Sequence, residues 1–216
     1  MNILAVDTST DSLAIALSQG DRRVLLRLER GLAHAAALLP WIDRILADAG
    51  LCPAALDLLV CAVGPGSFTG IRIGIATIQG LALASGRPSV GVCTLDVLAW
   101  PLRHHGGAVI PVIDARKGRY YASAFRGGSP VVPARDLTPS DLRALVEAQP
   151  DAVLAGPDAE RVRERLGVPT PTAALYDPSA LLHLGLEQYK KDGAQTGKPA
   201  PIYLRRSEAE DAALRR

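Results

Sequence analysis

The sequence predicts an α/β protein of two tandem lobes, each a mixed sheet with helices on its faces, the second lobe reduced. Three observations predict it. The chain opens on a meander of three strands and continues with strands and helices in alternation, the order βββαβαβ and then a helix. The opening pattern returns at an offset of 107 residues, close to half of the 216. Hydrophobic residues make up 48% of the chain, enough to fill a core in each half. The halves divide at 1–104 and 105–216, with the last residues free to return to the first lobe.

Residues 3–6 form a short apolar strand that ends at Asp7, and Thr8, Ser9, Thr10 and Asp11 supply a polar turn. Leu13, Ile15 and Leu17 alternate with small residues, Gly20 turns the chain, and 24–28 alternates apolar residues with arginine. Over 33–49 the apolar positions 35, 38, 39, 42, 45, 46 and 49 follow a helical stripe that Gly50 ends and Pro40 should kink. An apolar strand over 58–63, a glycine-rich turn, a helix through residue 84, a strand over 89–92 and a helix from Thr94 follow. The second half restates this: a strand over 109–113 ending at Asp114, a turn over 115–119, then Tyr120, Ala122 and Ala124 alternating, so that Asp7 maps to Asp114 and Leu13 to Tyr120. Pro130, Pro133 and Pro139 occupy the place of its third strand and first helix, which makes the copy look trimmed. A short strand over 153–156, helices over 140–148, 158–166 and 179–191, a polar linker over 192–199 and a last extended piece over 202–204 complete it.

The most constrained stretch is GPGSFTGIRIG, residues 64–74. Gly64 and Gly66 permit angles that a side chain forbids, Pro65 fixes its own φ, Ser67 follows, and Thr69 is placed to cap the helix. A glycine-rich turn at a helix start invites a phosphate. The Walker pattern, however, needs a lysine at its end, and the first lysine here is Lys117; the dinucleotide fingerprint needs an acidic residue in the next strand, where Gly91 stands. Pro65 and Thr69 occupy the places where a nucleophile elbow around Ser67 needs glycine. The helix is oily nearly all round, with Ile71, Ile75 and Ile78 on one stripe and Ile73, Leu81 and Ala84 on another. One sheet covers one face, so the second needs a further cover, from this chain or from another. Gly70 and Gly74, four apart, would let a second backbone approach.

Charge and composition exclude other classes. A net charge of +2 sets up no strong field for nucleic acid. Cys52, Cys61 and Cys93 are scattered, so neither a disulfide framework nor a zinc site is written here, and buried thiols are the expectation. His34, His104, His105 and His183 include no pair with metal-ligand spacing on a helix face. The chain opens without a signal pattern and holds no run of about 18 apolar residues, which reads as a cytoplasmic protein.

The loop-helix GPGSFTGIRIG, the opening ILAVDTST and the closing PIYLR together resemble the TsaB (YeaZ) family of tRNA-modification proteins, over residues 3–205. The resemblance implies the actin, Hsp70 and sugar-kinase superfamily (ASKHA, RNase H-like), whose two lobes close on nucleotide. It implies a non-catalytic partner of the paralogue TsaD, supporting transfer of a threonylcarbamoyl group to the adenosine beside the anticodon of ANN-reading tRNAs. The docking face would lie on the two long helices, at His34, Leu38, Trp41, Ile42, Ile45, Thr69, Arg72, Ile75, Ile78 and Gln79. Gly64, Pro65, Gly66, Ser67, Gly70 and Gly74 form the structural loop. Asp7, Thr8, Ser9, Thr10 and Asp114 would be a vestigial nucleotide site: Thr8 stands where a glycine is expected, and the superfamily's adenosine-site asparagine is missing, Asn2 being the sole asparagine. No catalytic residue, metal or cofactor is expected in this chain. ATP, magnesium and a metal ion would belong to the partners TsaD and the small ATPase TsaE, and tRNA would be met through the complex. For Asp7 an Asx-type turn competes with a magnesium role. Two other readings stay open: a stand-alone ATP-dependent kinase or peptidase of the superfamily, and a homodimer whose oily helices cover each other.

Overall fold

The computed structural model describes residues 1–29, 34–192 and 198–205. It holds two five-stranded sheets of the same topology. The first runs β3-β2-β1-β4-β5, from β1 (Asn2–Asp7), β2 (Ser12–Gln19), β3 (Arg22–Glu29), β4 (Leu58–Ala62) and β5 (Ser89–Val92). The second runs β8-β7-β6-β9-β10, from β6 (Val109–Asp114), β7 (Tyr120–Arg126), β8 (Ser129–Leu137), β9 (Val153–Ala155) and β10 (Thr172–Ala173). In each, three antiparallel strands are extended by two parallel ones. The helices are α1 (His34–Asp48), α2 (Phe68–Ser85), α3 (Thr94–Ala99), α4 (Pro139–Glu147), α5 (Ala159–Leu166) and α6 (Ser179–Asp192). The tandem α/β architecture is thus the one expected, a duplication of βββαβαβα. Tyr120 lies opposite Asp114 as Ala14 lies opposite Asp7, so the second turn is one residue shorter than the offset of 107 implies.

β1 and β4 read as continuous apolar runs because helices cover both faces of the first sheet. On one face α1 and α2 bury Leu38, Ile42, Ile45, Ile71, Ile75 and Ile78 against Leu4, Val6, Leu59 and Cys61. On the other, α6 packs Ala180, Leu181 and Leu182 against Ile3, Ala5, Val60 and Val90. The second sheet has α4 and α5 on one face and the apolar side of α3 on the other. The last helix of each half therefore covers the sheet of the other half. For this reason the division at 104 and 105 separates the sheets but not the packed lobes: α6 belongs by contact to the first lobe, and Ile202 joins its core.

Several expectations change. Ser67, not Thr69, caps α2, because the Ser67 hydroxyl accepts the Gly70 amide at 3.2 Å while Thr69 lies inside the first turn. The third strand of the second half is present as β8: it lies at the sheet edge, where Pro130 and Pro133 cost few ladder bonds, and its register shifts near Ala122–Phe125. The reduction sits instead in β9 and β10, three and two residues long. Residues 202–204 form no strand, although the Ile202 amide donates to the Val63 carbonyl at 2.7 Å. The helix α1 continues through Pro40. Of the thiols, Cys61 is buried, Cys93 half-buried and Cys52 exposed. Residue 33, part of the linker at 193–197 and the tail beyond Arg205 lie outside the described residues.

Candidate functional site

The glycine loop is a clamp on the first turn. Gly66, Gly70 and Gly74, each four apart, bring α2 so close to that turn that a Cβ at Gly66 would overlap the Ser9 carbonyl, one at Gly70 the Thr8 carbonyl, and one at Gly74 the Thr8 hydroxyl. The approaching backbone inferred from Gly70 and Gly74 is thus the chain's own. The Thr8 hydroxyl donates to the Gly70 carbonyl at 2.6 Å, and the Ser67 amide donates to the Ser9 carbonyl at 2.7 Å. Gly64, at φ 105°, accepts the Thr94 amide through its carbonyl at 2.8 Å, and the Gly64–Pro65 bond is cis. Thr8, Ser9 and Thr10 are all buried by this packing.

Asp7 closes the same turn. Its Oδ1 accepts the Ser9 amide at 2.7 Å and the Ser9 hydroxyl at 2.6 Å, the Asx arrangement that competed with a magnesium role. Its Oδ2 accepts the Tyr176 hydroxyl at 2.7 Å. Burial, and then the Asp7 charge, push the Tyr176 phenol well above its ordinary range, so it stays a donor. Asp114 repeats the Asx turn, accepting the Arg116 amide at 2.8 Å, but its second oxygen is held by Arg165 at 3.0 Å and Arg161 at 3.6 Å. The two aspartates expected to face each other are therefore each committed to donors of this chain, Asp7 to Ser9 and Tyr176 and Asp114 to Arg116, Arg165 and Arg161. Tyr176, Arg161 and Arg165 carried no motif in the sequence; the neighbouring Asp177-Pro178 helix start marks only where Tyr176 lies.

Between the lobes lies a cleft of about 1180 Å³, whose walls include Ser9, Thr10, Phe68, Asp114, Arg116 and Lys117. Asp11 and Arg116 meet across it at 3.5 Å. At its edge the Phe68 and Tyr203 rings lie 5.1 Å apart, with the Arg72 guanidinium 3.7 Å from the Phe68 centroid and donating to the Tyr203 hydroxyl at 3.0 Å. Gln79 donates to the Pro199 carbonyl at 2.8 Å. Arg72 and Gln79 therefore hold the returning C-terminal segment. Among the described residues no group of three or more His, Cys, Asp or Glu side chains is placed to share a metal ion.

The docking face needs a correction. Leu38, Ile42, Ile45, Ile75 and Ile78 are at most 7% exposed and belong to the chain's own core, because the apolar stripe of each helix turns toward the first sheet. A partner cannot reach them. The outward residues include Leu39 (54% exposed), Trp41 (38%), Asp43 and Arg44 on α1, and Thr69, Arg72, Ala76, Gly80 and Leu83 (87%) on α2. His34 opens α1, and its side chain lies outside the described residues. By length and mean hydropathy, 1.2 over its 18 residues, α2 could cross a membrane, yet its inner side packs on β4 and β1.

The Bacillus subtilis "tRNA threonylcarbamoyladenosine biosynthesis protein TsaB" is 33% identical to this chain over 97% of it and 96% of the relative. The chain belongs to the TsaB family. The Escherichia coli TsaB is 39% identical over 58% of this chain and 55% of its own length. The solved structure of YeaZ from Pseudomonas aeruginosa superposes with a TM-score of 0.80 at 30% identity, over 94% of this TsaB-family chain and 99% of YeaZ. Residues 30–133 also match the sequence model of the family described as "TsaD: tRNA N6-adenosine threonylcarbamoyltransferase", a likeness within the same duplicated fold.

Proposed function

We propose that this chain supports the formation of N6-threonylcarbamoyladenosine in tRNA as the non-catalytic partner of a TsaD protein. The observation that carries the reading is the closed first turn. Thr8 and Ser9 lie under the glycines of α2, and both oxygens of Asp7 are occupied by donors of this chain. A phosphate loop needs open amides and space at that place, and a magnesium-positioning carboxylate needs a free oxygen. What supports docking is the outward side of α1 and α2, where Leu39, Trp41 and Leu83 stand in water. An interface of standard size there would bury about 800 Å² on each partner. In this reading TsaD supplies the metal and the catalytic groups, TsaE acts on the complex, and tRNA meets the chain through that complex in the cytosol. The same helix face would pair two copies of the chain when TsaD is absent.

Reconstituted modification of tRNA tests this. Leu83→Asp should lower threonylcarbamoyladenosine formation by about tenfold or more, a loss of at least ~1.4 kcal/mol of partner binding. Leu175→Asp, at a leucine 50% exposed on another segment, should leave it unchanged. Equal activity of Leu83→Asp and wild type would sink the docking face. A second reading, nucleotide use by the chain alone, has the cleft and its Arg116 and Lys117 in its favour; magnesium-dependent nucleotide binding by the isolated chain would move the account there.

A further inference from the structure

The outer strands of the two sheets are unequally protected. β5 spans four residues and β10 two, too short to offer much of a ladder. β8 is long, but Pro130, Pro133 and its register shifts are devices that close an edge to further pairing. β3 has neither device. Its eight residues pair with β2 in one unbroken register, from Ser12 opposite Glu29 to Gln19 opposite Arg22. Val24 and Leu25 remain 42% and 46% exposed. As neighbours in a strand they point to opposite faces, so both sides of this edge offer apolar surface.

The charge along the edge is one-sided. Arg22, Arg23 and Arg27 stand against Glu29 alone. Arg27 is turned to its own chain, 3.3 Å from Glu29 and 5.1 Å from the Tyr176 ring centroid, which leaves Arg22 and Arg23 as the exposed cations. Arg23 makes one long contact, 3.4 Å to the His183 ring. A second copy of β3 laid on this edge would gather six arginines against two glutamates, an unfavourable pairing. Carboxylates suit it.

We propose that the outer edge of β3 accepts an extended acidic segment of another protein as a sixth strand of the first sheet. The added backbone continues the ladder, its apolar side chains meet Val24 and Leu25, and its carboxylates pair with Arg22 and Arg23. This surface is separate from the outward side of α1 and α2 and does not rest on the TsaD reading.

The test titrates the full chain, at low ionic strength, with a fluorescent peptide of about ten residues repeating Glu-Glu-Val-Val, so that each face of the added strand carries both residue types, and long enough to span the strand. Three controls are run: the same peptide with Lys for Glu, the peptide methylated on its backbone nitrogens, and the double variant Arg22→Glu, Arg23→Glu, checked for folding by circular dichroism. The expected result is binding about tenfold tighter for the acidic peptide than in any of the three. No binding at millimolar peptide, or equal binding of the lysine peptide, overturns the proposal. Equal binding of the methylated peptide, which is charge adsorption without strand pairing, overturns it as well. A wild-type dimer in sedimentation that the double variant abolishes would assign the edge to a second copy instead, against the proposal.

Discussion

Tyr176 makes the most informative single contact in the molecule, because its hydroxyl reaches from the segment before α6 to the buried Asp7 of the first turn. Removing that donor leaves a carboxylate oxygen buried and short of a partner. Tyr176→Phe should therefore cost about 1–3 kcal/mol at neutral pH, read from chemical denaturation. The alkaline limb adds a second check. Burial and the Asp7 charge raise the Tyr176 phenol, so the folded chain keeps a proton that the unfolded chain releases near pH 10. This contribution is intact below that pH and stability falls as pH rises past it; the fall should be shallower in Tyr176→Phe. Neither the bond nor its pH dependence was legible in the sequence, since a tyrosine 169 residues from its acceptor leaves no local pattern.

At the scale of elements, the glycines of α2 separate into two kinds. Gly70 lies against the Thr8 carbonyl, whereas a Cβ at Gly80 meets nothing within 4 Å. Gly70→Ala forces the helix off the first turn and should destabilise the chain by about 3 kcal/mol or more, or leave it insoluble. Gly80→Ala, in the same helix, should stabilise it by about 0.5–1 kcal/mol, and thermal melts distinguish the two. The sequence made the strand-turn-helix, its tight packing and the oily helix legible, because those depend on local periodicity and on residue type. The packing partner was not, because Gly70 and Thr8 are 62 residues apart. The same limit explains the cap: Thr69 and Ser67 are equivalent by type, and the Ser67–Ser9 backbone bond selects Ser67. It also explains β8, whose prolines argue against a strand only until its edge position is known.

For the whole molecule, the repeat at an offset of 107 residues was faint in identity and proves to be a full duplication of topology, the exchange of α3 and α6 between sheets being its least readable part. That exchange ties the halves together, and Tyr176 adds a bond from the segment before α6 to Asp7, while Asp114 is held by Arg116 and Arg165 of the second half. A closed first turn suits the proposed role of a partner that presents a surface. The apolar stripes read from the sequence were real, but a stripe strong enough to find by periodicity is the one a sheet covers; the outward Leu39, Trp41 and Leu83 stand off it. The most direct test is the mass, by light scattering, of the chain mixed with the TsaD protein of the same organism, for wild type and Leu83→Asp. The account predicts a heterodimer with wild type and separate chains with Leu83→Asp at an unchanged melting temperature. A heterodimer that Leu83→Asp leaves intact, or a wild-type chain indifferent to TsaD, would contradict it.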